Sequence, residues 1–400
     1  MGGERGGVEG ARPRRARCRL EGDRDQAHAD GSAHGHAPRT RRAARPRARP
    51  SRAAVGQHLA HPRPRRRGRR GSALTEPIPL DASVVRSVLR PLPPDASKEV
   101  RGRVLVVGGS HRYPGAILLA GRAAARSGAG VVTIAAGRSI VEMVAGQDPN
   151  LTFFPLAEVQ PGLIATGAAA QLSTLLSDKI RALLVGPGLA HAAGTDEFVV
   201  AVLRNAKGAT TVVDADGLNA LARTEDWPSV LPPRTILTPH DGEAARLSGR
   251  VVPKDTARVA FAERQAAQWN VTLVLKGAVT VVTDGKRTYV HDAPNPTLSI
   301  GGSGDALGGA VAAFAARGLA PLAAAAAAVW VHGRAGALLA AEIGESGALA
   351  TDIVDALPRA LRQILTSPGE RPTIARARSS ATPQRLRVVR SPRRAARRPR

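Results

Sequence analysis

Short runs of aliphatic and β-branched residues alternate with alanine-rich stretches through the middle of this chain. Residues 103–107 (RVLVV), 131–134 (VVTI), 181–185 (RALLV), 210–213 (TTVV), 234–237 (RTIL) and 272–275 (TLVL) read as buried strands. Between them the pattern predicts helices over 115–127, 195–205, 217–222 and 255–269, with a short helix after 238–243 (TPHDGE). Two further apolar runs, 279–282 and 288–290, flank Asp284-Gly285 and predict a hairpin. The last third predicts helices over 305–317, 321–342 and 352–365. Strands that are apolar throughout and alternate with helices imply a mostly parallel sheet covered on both faces. In such sheets ligands bind beyond the carboxyl ends of the strands. Gly108-Gly109, Gly186-Pro187-Gly188, Asp214, His240 and Lys276 each follow a predicted strand, so they are expected on one rim.

Charge divides the chain into three parts. The 400 residues carry a net charge of +26, but residues 75–365 account for only +2 of it. Residues 1–74 hold 20 Arg against 6 acidic residues, and residues 366–400 hold 11 Arg against 1. All ten aromatic residues and all six lysines fall between these flanks. Segments so poor in apolar side chains cannot offset the entropy of ordering, so both flanks are expected to be disordered, Arg-rich tails. They are read first as solvated tails. Nucleic-acid contact through runs such as 63–70 and 393–400 is the lesser alternative. A targeting role for residues 1–74 is disfavoured, since they have no apolar core segment, little Ser and no helical period. The expected organisation is therefore 1–74 tail, 75–365 one globular domain, 366–400 tail. A lone Cys18 excludes a disulfide scaffold or a Cys-rich zinc module. No run approaches the roughly 18 consecutive apolar residues of a membrane span, so no membrane role is expected.

The candidate chemistry lies in the strand-end motifs. Gly301, Gly302, Ser303 and Gly304 lead into Asp305 at the start of a predicted helix. Glycines let backbone amides approach an anion, and a helix N-terminus adds a positive dipole end. A carboxylate beside such an anion hole can take a proton from an attacking hydroxyl; the competing reading of Asp305 is an ordinary N-cap. Lys276, Gly277, Ala278, Val279 and Thr280 offer an ammonium and a hydroxyl suited to nucleotide phosphates or ribose, against the simpler reading of a solvated strand-end lysine. His240 is a candidate donor to a substrate carbonyl or amide, or else structural. Asp214 and Asp216 offer two carboxylates after a strand, with Asp216 equally suited to cap the helix that follows. No zinc-ligand spacing or G-x-S-x-G elbow is present in the sequence.

Taken in order, V-V-G-G-S (106–110) with Y-P-G-A (113–116), S-G-A-G (127–130), G-P-G-L (186–189), V-D-A-D-G-L-N (213–219), T-P-H-D-G-E (238–243), K-G-A-V-T (276–280) and G-G-S-G-D (301–305) resemble the ADP/ATP-dependent NAD(P)H-hydrate dehydratases of the ribokinase-like superfamily. The resemblance spans roughly residues 80–365. It implies a ribokinase-like three-layer α/β/α sandwich and the nucleotide-coupled dehydration of NADHX or NADPHX. By the same resemblance Ala116, Gly188, His240 and Asp305 line the hydrate site. Lys276, Gly277, Ala278, Val279, Thr280 and Gly304 hold the adenine nucleotide, ADP or alternatively ATP, with Mg²⁺ bridging its phosphates and no protein metal site. A cytoplasmic homotetramer is also implied. The alternative within the superfamily is a small-molecule kinase of the hydroxymethyl-pyrimidine, thiazole or pyridoxal type. The sequence departs from the family at 294–299 (PNPTLS), where Gly-Asn and small residues are usual, and at Asp241, where Pro is common. The epimerase domain that often accompanies the family is not expected within residues 1–74.

Overall fold

The computed structural model describes residues 76–176, 179–192 and 194–365, so both Arg-rich flanks and Cys18, with every expectation attached to them, lie outside the described residues. The strands are β1 Ile78–Pro79, β2 Arg103–Val107, β3 Val131–Gly137, β4 Thr152–Leu156, β5 Glu158–Gln160, β6 Leu163–Ile164, β7 Ala182–Val185, β8 Thr210–Val213, β9 Thr235–Leu237, β10 Thr272–Leu275, β11 Val279–Thr283 and β12 Thr288–Asp292. The helices are α1 Ala82–Val88, α2 Lys98–Arg101, α3 Pro114–Arg126, α4 Arg138–Val144, α5 Ser173–Leu176, α6 Thr195–Asn205, α7 Asp216–Arg223, α8 Asp241–Ser248, α9 Ala257–Trp269, α10 Ser303–Ala316, α11 Pro321–Glu342 and α12 Ala350–Leu365.

Ten strands form one sheet in the order β1-β12-β11-β10-β9-β8-β7-β2-β3-β4. Every neighbouring pair is parallel except those made by β11, which runs against both β10 and β12. β5 and β6 pair separately. Strand side chains alternate between faces, and here both faces are apolar. Val104 and Val106 pack with helices α3, α10, α11 and α12 on one side. Leu105 and Val107 pack with α6, α7, α8 and α9 on the other. The result is a three-layer α/β/α sandwich: the covered, mostly parallel sheet is what the pattern predicts, and the ribokinase-like sandwich is what the resemblance implies.

β2 marks the place where the chain order reverses. From it β3 and β4 follow toward one edge, while β7 to β10 follow toward the other. A crevice opens beyond the carboxyl ends of strands at such a switch point. The backbones there are knitted together: Gly109 N donates to Pro187 O at 2.8 Å and Gly186 N to Val107 O at 3.0 Å.

α11 is, among the described residues, a 22-residue helix long and apolar enough by composition to cross a membrane. The short polar interruptions that keep it from being one unbroken apolar run do not alter that. It instead serves as a core helix, with Ala324 to Ala328, Val331, Ala335 and Leu339 buried against the layer that holds α10 and α12. α10 is buried almost throughout. Gly309 faces the backbone of α3 at Ala120, and Gly308 faces Leu184 of β7 and the carboxylate of Asp214. Residues without a side chain here let the helix lie directly on the sheet, which brings its N-terminus to the rim.

Candidate active site

The site is assembled from the ends of β8, β9 and β10 and the start of α10. Asp214 follows β8 and is buried at 1% exposure. Lys276 follows β10, and its Nζ donates to Asp214 Oδ1 at 2.9 Å. α10 begins one turn away: Gly302, with φ +89, takes the N-cap position in a left-handed conformation that favours glycine. A Cβ on Gly304 would stand 3.3 Å from Lys276 Nζ and 4.0 Å from Asp214 Oδ2. The helix therefore starts at Ser303, two residues earlier than the sequence pattern predicts, and Asp305 sits in its first turn. Ser303 N donates to Ile300 O at 3.3 Å, so of the four residues proposed as an anion hole Ser303 turns its amide inward. First-turn amides have no acceptor within their own helix, which leaves those of Gly304 and Asp305 directed out of the N-terminus.

His332 of α11 fixes this start. Its Nε2 lies 3.0 Å from Ser303 O and 3.1 Å from Ser303 Oγ, and burial holds its pKa down to about 4, so the ring is neutral. A histidine within a long alanine-rich helix carries no sequence signal for this task.

His240 caps α8. Its Nδ1 accepts from the amides of Gly242 (3.0 Å) and Glu243 (3.4 Å), while His240 N donates to Glu243 Oε2 at 2.9 Å. Both readings of His240 are thus compatible. Nδ1 is spent on the cap, so the proton of the neutral ring sits on Nε2, which lies 3.5 Å from Glu243 Oε1. Burial, followed by the charge on Lys276, keeps the ring neutral by lowering its pKa. A parallel bridge between His240 and Lys276 joins the two motifs.

Three carboxylates, Asp214, Glu243 and Asp305, gather around the single Lys276 ammonium. Burial, then the Asp214 charge, pushes Asp305 up to about 7 against the pull of Lys276. Burial likewise pushes Glu243 up to about 7, again opposed by Lys276. Burial works to lower the lysine, but Asp214 and Glu243 outweigh it and leave its pKa raised. A carboxylate with a pKa near 7 is half ionised at neutral pH and can accept a proton with little driving-force penalty.

A cavity of about 700 Å³ adjoins this cluster and brings together His240, Lys276, Gly277, Ala278, Thr280, Ser303 and Gly304. Val279 is not part of its lining; the Val279 carbonyl faces inward to Arg258 Nε at 3.0 Å. The departing stretch 294–299 forms one wall. Pro296 fits there as the first residue of a short 3₁₀ turn, Pro296–Leu298, capped by Asn295, whose Oδ1 accepts from Thr297 N at 3.0 Å. Its fixed φ suits that position.

Ala116 and Gly188 meet on the other side of α3. Gly188 has φ +64, and a Cβ there would stand 2.6 Å from Tyr113 O and 2.9 Å from Ala116 Cβ. Leu119, three residues on and so on the same face of α3 as Ala116, touches Gly302. The first two turns of α3 thereby bridge the Gly188 loop and the glycine loop. Asp216 does not cap α7; Ala215 holds that place, with φ +50. The Asp216 carboxylate instead accepts from Ala190 N at 2.8 Å and steadies the loop after Gly188. Gly188→Ala is expected to cost stability through strain on the order of 1–3 kcal/mol at that residue, read as a lower midpoint in urea denaturation.

The chain was compared with known proteins. The family model described as NAD(P)H-hydrate dehydratase matches residues 104–359. An ADP-dependent (S)-NAD(P)H-hydrate dehydratase from Xanthomonas campestris is 38% identical over 297 residues, covering 72% of this chain and 98% of that protein. A bifunctional NAD(P)H-hydrate repair enzyme from Moorella thermoacetica is 37% identical over 288 residues, 71% of this chain and 54% of its own length. The chain thus spans about half the length of the bifunctional relatives it matches. Among solved structures, the ADP/ATP-dependent NAD(P)H-hydrate dehydratase from Bacillus subtilis, co-crystallised with ATP and Mg²⁺, superimposes with a TM-score of 0.62 at 30% identity, covering 73% of this chain and all of that one.

Proposed function

The chain belongs to the NAD(P)H-hydrate dehydratase family, and we propose that it repairs NADHX and NADPHX, using ADP to drive the removal of water and releasing AMP and phosphate. The observation that carries this reading is Asp305: a half-buried carboxylate in the first turn of α10, in the field of Lys276, which lines a cavity large enough for a nucleotide.

The ring hydroxyl of the hydrate gives its proton to Asp305 as its oxygen attacks the terminal phosphorus of ADP. The new O–P bond forms while the bond to the bridging oxygen breaks, and AMP leaves. First-turn amides of α10 and the Lys276 ammonium stabilise the charge on the phosphoryl oxygens. The phosphate ester, a far better leaving group than hydroxide, then departs with its bonding electrons as the ring nitrogen lone pair fills in. Loss of a proton from the adjacent ring carbon restores the dihydronicotinamide. His240, with its proton on Nε2, orients the hydrate by donating to it. Ala116 and Gly188 complete the hydrate site, and Gly277, Ala278, Thr280 and Gly304 hold the nucleotide, with Val279 acting only through the carbonyl that anchors the loop to Arg258. Among the described residues no trio of His, Cys, Asp or Glu is grouped to hold a metal ion. Magnesium, when bound, would supply charge neutralisation at the nucleotide phosphates, and no step is assigned to it. The reading includes a cytoplasmic homotetramer whose catalytic unit is residues 75–365, with a mass in solution equal to one chain counting against the tetramer.

The decisive test mixes the full chain, and residues 75–365 alone, with NADHX and ADP or ATP. Return of the reduced-nicotinamide absorbance with stoichiometric AMP supports the dehydratase. A stable phosphorylated product with no absorbance gain would instead indicate a kinase of the same superfamily. The pH dependence of kcat/KM should show a rising limb with an apparent pKa near 7, since Asp305 must be ionised to act as base. Activity falls tenfold per pH unit below it. The midpoint belongs to the coupled carboxylates rather than to one residue. A flat profile between pH 5 and 8 would argue against Asp305 as the base.

A further inference from the structure

The nucleotide loop is held by a residue outside every motif of the family resemblance. Arg258, in the first turn of α9, is buried at 6% exposure. Its Nε donates to Val279 O at 3.0 Å and its Nη2 to Lys276 O at 2.8 Å, with Leu275 O at 3.4 Å. Its Nη1 donates to Asp241 Oδ1 at 2.7 Å. One guanidinium therefore collects three carbonyls of the turn between β10 and β11 and ties them to the turn that carries His240. Gly277 is what lets it reach, because a Cβ there would stand 2.6 Å from Nη2.

This arrangement sets which way the loop faces. In a trans peptide the carbonyl and the following amide point in opposite directions. Drawing the carbonyls of Lys276 and Val279 onto Arg258 turns the amides of Gly277 and Thr280 away from it. Gly277 and Thr280 both line the cavity. Thr280 Oγ1 then closes the turn, accepting from Gly277 N at 3.3 Å and donating to Gly277 O at 3.0 Å, so the Gly277 amide is held within the loop. Lys276 is anchored independently on its other side, where its amide donates to Pro239 O at 2.8 Å.

We propose that Arg258 is the positioning residue of the nucleotide loop, fixing residues 276–280 in their ligand-ready shape and coupling them, through Asp241, to the turn that presents His240. The proposal rests on the reading of residues 276–280 as the nucleotide site. It also gives a role to Asp241, the position where the family commonly has Pro: here an ion pair spans the two motifs. A lysine cannot replace Arg258 in this role, because three carbonyls and a carboxylate around a flat fork need the planar donor set of a guanidinium.

The test uses the full chain in three forms: wild type, Arg258→Lys and Asp241→Asn. Each is titrated calorimetrically with ADP and separately with NADH, the proposed product, and steady-state KM is measured for both substrates. Arg258→Lys is expected to raise Kd for ADP about tenfold to a hundredfold, as a displaced positioning group does. Asp241→Asn, whose side chain keeps a neutral acceptor, is expected to raise it about threefold. In both variants NADH affinity and KM for the hydrate, which the coupling reaches only through the His240 turn, change less than Kd for ADP does, a split that a general loss of packing does not produce. Wild-type binding of ADP with unchanged Kd in both variants overturns the proposal, as does equal weakening of ADP and NADH. If Arg258→Lys fails to fold, Asp241→Asn decides, since residue 241 lies at the surface of the pair with a side chain 38% exposed. Failure of the wild type to bind ADP at all identifies the nucleotide reading itself as wrong, and the proposal falls with it.

Discussion

Asp305→Asn is expected to lower kcat by about 10²–10⁴ while leaving ADP affinity within threefold of wild type, the usual worth of a positioned base. The amide keeps the shape and the place in the first turn of α10 but cannot take a proton. The same substitution is expected to make the protein more stable at high pH. The fold raises the Asp305 pKa from 3.8 to about 7, so it disfavours the ionised form. Below pH 3.8 the group is protonated in both folded and unfolded chains and exacts no penalty. As pH rises toward 7 the unfolded chain releases the proton while the folded one retains it, and stability from this group is lost across that window. Urea denaturation at pH 8 should therefore show a gain for Asp305→Asn that disappears near pH 4. Stability gained with kcat retained within threefold would mean the carboxylate is destabilised for some purpose other than proton transfer.

That strain is tolerated at a position the sequence makes visible, and the contrast with less visible residues is instructive. β2, β8 and β10 were legible because each is a run of aliphatic and β-branched residues buried on both faces. Parallel topology then sends all their carboxyl ends to one rim, so Asp214 and Lys276 could be expected together before any contact was known. β4 was missed: its TFFPL carries Pro155, and proline within a run argues against a strand except at an edge, which is where β4 lies. β1, two residues long, has too little pattern to read. α4 follows β3 with no intervening loop signal, since Gly137 ends the strand and caps the helix at once. At the site, local motifs found Asp305, His240 and Lys276. Arg258, Glu243 in its partnership with Lys276, and His332 act through contacts that have no local period. Arg258 reaches residues 17 to 21 positions away, and His332 reaches Ser303 across 29. The start of α10 was placed two residues late because glycine, a weak helix former, normally argues for a loop. Here Gly304 lies within the helix, where its missing side chain makes room for Lys276 Nζ.

Lys276→Met is expected to destabilise the domain by about 3–5 kcal/mol, the usual consequence of removing one partner from a buried ion pair. Asp214 is inaccessible, and its Oδ1 has Lys276 Nζ as its cationic partner at 2.9 Å. Without that ammonium, the buried Asp214 charge loses its hydrogen-bonded counterion while Glu243 and Asp305 stay beside it. Methionine preserves most of the side-chain volume, so the loss reports charge rather than a cavity. The companion variant Asp214→Asn/Lys276→Met removes both charges and is expected to recover most of the stability, because the net worth of a buried pair against a neutral replacement is small. Activity should not return with it, since the phosphoryl group would still lack its cation. Lys276 also pulls the pKa values of Asp305 and Glu243 down. Any residual turnover in the single variant should therefore show its rising limb at a higher pH than wild type. Chemical denaturation of the two variants, paired with kcat/KM from pH 5 to 9, separates the structural burden of Lys276 from its chemical one. A double variant that regains both stability and turnover would reduce Lys276 to a counterion for Asp214 and remove it from the reaction.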